Sequence, residues 1–216
     1  GPGVNPLHDH AEDVTVDRAK VDKNSRVGRH DIVSCSLGNH HVACVTRSGQ
    51  LLVSGSNTTG EVDPDQKDVA RIVKPVTMES LLQAHVVQVS CGLNHTAALR
   101  SYGSVLTWGG NEFGQLGHYG VLSSSPVKFC RPSIMALGGR RRATSVACGD
   151  GFTLCLTSRM EVLACGVEDI VGYVSEESRR IPTPVPALQN LPVVSIAAGR
   201  RHAVVLTTFG TAFSWG

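Results

Sequence analysis

Aromatic residues are scarce in this chain of 216 residues: 2 Trp, 3 Tyr and 5 Phe. With only Trp108 and Trp215 present, no cluster of tryptophans can be assembled. Charge of one sign is lacking too. Twenty Lys and Arg stand against 18 Asp and Glu, a formal net charge of +2. That is too little to drive general nucleic-acid binding by counterion release, so any contact with a polyanion needs a local cluster. Apolar runs such as Val204 to Leu206 are a few residues long, against about 20 for a membrane span, so no membrane insertion is expected. The seven cysteines form no CxxC pair and no Cys/His metal pattern, and their odd number suits a reducing, intracellular setting in cytoplasm or nucleus. No phosphate loop follows a strand, and no GxSxG elbow, HExxH or paired-carboxylate pattern occurs. The expectation is a chain without catalytic residues, metal or cofactor, and not an enzyme. At 41% hydrophobic and 18% charged it is neither disordered nor fibrous.

What the chain does have is a repeat. Four stretches of equal length stack on a shared glycine: Cys35 to Gly55, Val89 to Gly109, Val146 to Gly166 and Ile196 to Gly216. The anchors Gly38, Gly92, Gly149 and Gly199 lie 54, 57 and 50 residues apart. Each unit reads as a short inner strand of small residues running into the anchor, a second strand, a turn with Gly49, Gly103 or Gly210, and a third strand. Pro-Val pairs at Pro75-Val76, Pro126-Val127 and Pro184-Val185 precede the next inner strand, which permits four strands per unit. The strands are apolar on both faces, as in sheets covered on both sides. Four-stranded sheets that cannot bury themselves singly stack radially, so the fold expected is all-β, a β-propeller of four-stranded antiparallel blades.

The strings CGLNHTAAL and WGGNEFGQLG, Cys91 to Leu99 and Trp108 to Gly117, resemble the two signatures of the regulator of chromosome condensation repeat, a family of seven-bladed propellers. The resemblance covers roughly residues 32 to 216. The first unit has Ser54 in place of the signature Trp, and the third has Phe152 for His and Cys165 for Trp. About four units imply an incomplete ring, completed by further residues or another chain. Residues 1–30 are expected to be a linker or a closing strand, with Gly1-Pro2 like what a cleaved tag leaves behind, and 31–216 the repeats.

Site candidates follow from the stack. The two residues after each anchor sit in a strand-connecting loop, so Asn39-His40, Leu93-Asn94, Asp150-Gly151 and Arg200-Arg201 should emerge on one face, the default partner surface. Arg140, Arg141 and Arg142 add a basic cluster, and residues 126–216 hold 10 basic against 6 acidic side chains. His41, His95 and His202 share one repeat position; they read as rings packed at a blade edge, while the resemblance implies a place on the face where a small GTPase docks in the founding member. Cysteines mostly stand where a sister unit has an ordinary buried residue, and Asp63-Pro64-Asp65 reads as a turn. The function expected is a protein–protein recognition module or scaffold. The resemblance also implies alternatives: an exchange factor for a Ran-like GTPase, or a chromatin adaptor touching a histone surface. A ubiquitin-pathway partner is a further expectation, since relatives form parts of ubiquitin ligases. The family's UV-B photoreceptor carries GWRHT where this chain has GRRHA at Gly199 to Ala203, which argues against light sensing.

Overall fold

A computed structural model describes residues 31–66, 68–118, 130–172 and 180–216. It is built from fifteen strands in four antiparallel sheets. Blade 1 comprises β1 (Ile32–Leu37), β2 (His41–Thr46), β3 (Leu51–Ser56) and β4 (Arg71–Thr77). Blade 2 comprises β5 (Val86–Cys91), β6 (His95–Arg100), β7 (Val105–Gly109) and β8 (Cys130–Ile134). Blade 3 has β9 (Ala143–Cys148), β10 (Phe152–Thr157), β11 (Val162–Gly166) and a two-residue β12 (Thr183–Pro184). The fourth sheet has β13 (Val193–Ala198), β14 (Ala203–Thr207) and β15 (Ala212–Trp215). Strands pair in chain order within each sheet, and the inner strands β1, β5, β9 and β13 touch in succession. The result is an incomplete ring of blades. A short helix, α1 (Glu168–Val171), follows β11 in blade 3. The pair Pro126-Val127 falls outside the described residues, as do residues 1–30.

The repeat extends to its irregularities. In each sheet the ladder between first and second strand slips by one residue at the same repeat position, so Val33, Val87, Thr144 and Val194 bulge out, all exposed. A bulge bends and twists the inner strand, which suits strands crowding round an axis.

Three apolar clusters fill the spaces between sheets. Trp108 of blade 2 shares a cluster with Val53 and Val62 of blade 1, and Phe152 of blade 3 shares one with Val205 of the fourth sheet. Every residue of β10 is buried, whereas β15 is mostly exposed, with no further strand beside it among the described residues. Sheet faces are therefore buried by neighbours, as in other stacked-repeat proteins.

The anchor glycines have a steric explanation. A Cβ on Gly92 would collide with the ring of its own His95 and lie 2.5 Å from the carbonyl oxygen of the next anchor, Gly149. Gly38 and Gly149 face the same two obstacles, the ring three residues on and the next anchor's carbonyl. The backbone is ordinary there; the residue is fixed by the closeness of blade to blade.

Candidate partner-binding face

Because the inner strand of each blade runs toward its anchor, the loops that follow the four anchors come out at one end of the strands. Leu37, Asn39, Leu93, Asp150 and Arg200 line a single depression of about 260 Å³ there. The structure thus brings the four sequence-predicted loops together. Their side chains are unequal, however. Asn94 is half-buried: its side-chain oxygen accepts from Gln115 (3.3 Å), and its carbonyl accepts from the Gly110 amide (2.7 Å) and the Thr59 hydroxyl (3.1 Å). Leu93 is half-buried as well, and Asp150 is held by Arg200, whose Nε lies 3.1 Å from its carboxylate. Asn39 and His40 are exposed and bonded to each other at 2.8 Å. Arg201 is exposed and has no ion pair among the described residues. The exposed groups in these loops are Asn39, His40, Arg200 and Arg201, with Asp150 orienting the first of the two arginines.

Arg140, Arg141 and Arg142 do not join them. They precede β9, whose far end carries Gly149, so they lie at the opposite end of the strands, beside the hairpin turns. The Arg142 carbonyl accepts from Ser158 in the turn of blade 3, and Gly103 in the turn of blade 2 packs against Arg142.

The motif histidines lie inside the joints between blades. His41 is 4% exposed and His95 0%. His41 Nε2 sits 3.0 Å from Thr96 Oγ1 of blade 2, and His95 Nε2 the same distance from Thr153 Oγ1 of blade 3. Each threonine hydroxyl in turn donates to a loop carbonyl of the preceding blade, Thr96 to Glu61 (2.7 Å) and Thr153 to Gln115 (2.8 Å). A hydroxyl has one proton, so the imidazole must supply the other: both rings are neutral with the proton on Nε2. Nδ1 of both is buried with no hydrogen-bond partner, so no acceptor is present for a second ring proton. Burial holds the pKa of His41 down at about 4 and that of His95 at about 3; beside His41 the Glu61 carboxylate pulls the other way, and beside His95 the His41 charge adds to the fall. In the third joint both partners change together: Phe152 replaces the histidine and Ala203 the threonine. His202 stands exposed on the uncovered side of the fourth sheet.

Other bonds cross the same joints. Ser36 Oγ accepts the Cys91 amide and Ser90 Oγ the Cys148 amide, both at 2.9 Å. Trp108 Nε1 donates to the Glu61 carbonyl (3.2 Å) and Trp215 Nε1 to that of Ile170 (3.0 Å), while Cys165, standing at the tryptophan position, donates its thiol to the Gln115 carbonyl (3.3 Å). The loops that present these carbonyls are latched by Asn57 and Asn111, at equal distances from the anchors. Asn57 is fully buried; its side-chain oxygen accepts from the Val62 and Asp63 amides, and its two Nδ2 protons are shared among the carbonyls of Asp63, Gln66 and Val69. Sequence reasoning did not single out these asparagines, although their place three residues beyond Ser54 and Trp108 was a usable signal. Asp63 caps a turn through the Asp65 amide (3.0 Å), as the sequence suggests.

Among the described residues no group of three potential metal ligands converges. Five of the cysteines are buried, and burial raises the thiols of Cys91 to about 12 and Cys148 to about 11, which removes them as nucleophiles. Cys130 is among the buried five; Cys35 is exposed and Cys44 half-buried. Among the described residues no helix is long and apolar enough to cross a membrane.

The pattern of the regulator of chromosome condensation (RCC1) repeat matches residues 48–99, 102–156 and 162–206. The chain belongs to this repeat family. A second pattern of the same family matches residues 86–115, the unit nearest the signatures. Human E3 ubiquitin-protein ligase HERC2 is 31% identical over 191 residues, 86% of this chain and 4% of that protein. The ultraviolet-B receptor UVR8 of Arabidopsis thaliana is 29% identical over 210 residues, 95% of this chain and 44% of the receptor. In the solved structure of Kap60 bound to yeast RCC1 (Prp20), a chain with 22% identity superposes with a TM-score of 0.72, covering 88% of this chain and 44% of that one. This member of the repeat family therefore spans less than half the length of each of these relatives.

Proposed function

We propose that the chain is a non-catalytic recognition module, a rigid arc of repeat blades that captures a protein partner on its anchor-glycine face. The observation that carries this reading is the division of labour around each anchor. The ring of the first three motifs, His41, His95 and Phe152, is spent inside a joint, while the two residues after each anchor stand in loops at one end of the strands, where His40, Arg200 and Arg201 reach solvent. Loops on a rigid scaffold are where recognition concentrates, and guanidinium groups suit carboxylate or phosphate acceptors. The chain's relatives, which include a ubiquitin ligase and the yeast RCC1 that binds Kap60, favour a protein partner. A ubiquitin-pathway protein, a small GTPase or a histone surface are the candidate classes, within cytoplasm or nucleus. The uncovered side of the fourth sheet exposes Leu206 on the same strand face as His202; we assign its cover to further blades or a second chain that completes the ring.

Arg200→Glu/Arg201→Glu tests the face. Affinity purification with the wild-type chain and this variant, both checked by circular dichroism and melting temperature, should show partner recovery falling at least about tenfold with the fold intact. Equal recovery by the folded variant removes this face from the function.

A further inference from the structure

At the opposite end of the strands from the anchor loops, blades 2 and 3 leave a groove of about 710 Å³. Met135 and Leu137, both buried, make its floor. Tyr102, in the turn of blade 2, and Ile134, at the end of β8, stand over it with 68% and 61% of their surfaces exposed. Two large apolar bodies held in water beside a concave apolar floor mark an interaction site. Arg140 and Arg142 form the far rim.

The three consecutive arginines divide their duties. Arg141 points into the protein: its Nε lies 3.0 Å from the Glu161 carboxylate, and Nη1 donates to the Leu137 carbonyl at 3.3 Å. Arg140 and Arg142 are exposed and make no ion pair among the described residues. Arg140 also holds a left-handed backbone, φ 55°, after Gly138 and Gly139 at 66° and 54°. The matching position before the fourth sheet carries Asn190 at φ 67°, a residue that tolerates this region, whereas a long side chain is unfavourable there. The backbone alone would prefer asparagine or glycine at 140, yet the position carries an exposed guanidinium. His118, which also lines the groove, is engaged by the Thr107 hydroxyl (2.8 Å) and the Ser133 carbonyl (3.2 Å).

An apolar floor with two uncompensated cations at one rim calls for an occupant with an apolar anchor and neighbouring carboxylates. Two cations are too few for a nucleic-acid backbone, whose binding grows with the number of phosphates neutralised, and such a backbone offers the floor nothing. We propose that this groove docks an extended acidic segment of a partner protein, with an apolar side chain seated on Met135 and Leu137 between Tyr102 and Ile134, and carboxylates on Arg140 and Arg142. The site is separate from the anchor-glycine face and does not depend on it.

Panning a random dodecapeptide phage library against the immobilised full chain should enrich sequences in which an aromatic or aliphatic residue is flanked by Asp or Glu. Fluorescein-labelled copies of the enriched peptide, titrated by anisotropy, should lose affinity at least about tenfold in Arg140→Glu/Arg142→Glu and in Tyr102→Ser, each checked for an unchanged melting temperature. Binding should be unaltered in Arg200→Glu/Arg201→Glu, which separates this groove from the opposite face. Failure to enrich acidic sequences overturns the proposal, and so does equal binding to the folded Arg140→Glu/Arg142→Glu variant. A short DNA duplex that binds through Arg140 and Arg142 and is not displaced by any acidic peptide also overturns it.

Discussion

The motif histidine and the threonine that follows it in the next blade behave as one unit. Thr153→Ala leaves the Nε2 proton of His95 buried without an acceptor, at a cost of about 1–3 kcal/mol. The double change His95→Phe/Thr153→Ala copies the joint that Phe152 and Ala203 already form, so it should be less destabilising than Thr153→Ala alone, with a coupling of roughly 0.5–3 kcal/mol in a double-mutant cycle by urea denaturation. The same pair predicts a pH response. The folded pKa values, about 4 for His41 and about 3 for His95, lie below the 6.5 of an unfolded histidine. On acidification the unfolded chain takes up these protons first. The stabilisation is complete above pH 6.5 and is lost as the pH falls toward 4 and then 3, at up to about 1.4 kcal/mol per pH unit for each ring. Denaturation midpoints measured across this window should fall steeply for the wild type and less steeply for His95→Phe/Thr153→Ala; parallel curves would mean that His95 is not held neutral. Glu61 also contributes at low pH. Burial raises its carboxyl, but hydrogen bonds outweigh that and leave it lowered. Comparison with the double variant isolates the His95 share.

Among the blade elements, the hairpin turns hold blade to blade at the end opposite the anchors. The carbonyls of Gly49, Gly103 and Met160 each accept an amide at the start of the next inner strand, from Val86, Ala143 and Val193. The turn position is left-handed in all four units: Gly49 (φ 82°), Gly103 (82°), Met160 (62°) and Gly210 (75°). Methionine is the misfit. Met160 is 45% exposed, so little packing is lost with its side chain, and Met160→Gly should stabilise the chain. Left-handed strain of about 1–2 kcal/mol is relieved, and about 0.5–1 kcal/mol returns as glycine's entropy in the unfolded state. A lower melting temperature for Met160→Gly would show that the turn is held by the side chain.

The blades, their four-strand count and the shared exit of the anchor loops were legible in the sequence because the repeat is written in residues that a crowded joint allows at few positions: Gly92 under His95, Trp108 against Glu61. That the motif histidines are packed rings was legible too, but their threonine partners were not, because these are 55 and 58 residues away in the next blade, and stacking the units aligns His95 with His41 rather than with Thr153. The placement of Arg140 to Arg142 was missed for a related reason. Charge is counted along the chain, while the end of the strand at which it emerges depends on the direction of β9.

Across the described blades, the anchor loops and the hairpin turns emerge at opposite ends of the strands, and the proposal gives each end its own task while the motif rings His41 and His95 stay buried in the joints. The central claim is that recognition lies in the loop residues of the anchor-glycine end and not in the ring residues that define the repeat. The most direct test is titration calorimetry of the partner recovered by the wild-type chain against two variants, Arg200→Glu/Arg201→Glu and His95→Phe/Thr153→Ala. The account predicts that the first keeps its melting temperature and binds at least about tenfold more weakly, while the second, where folded, binds with unchanged affinity. Tight binding by the first and lost binding by the folded second would contradict it.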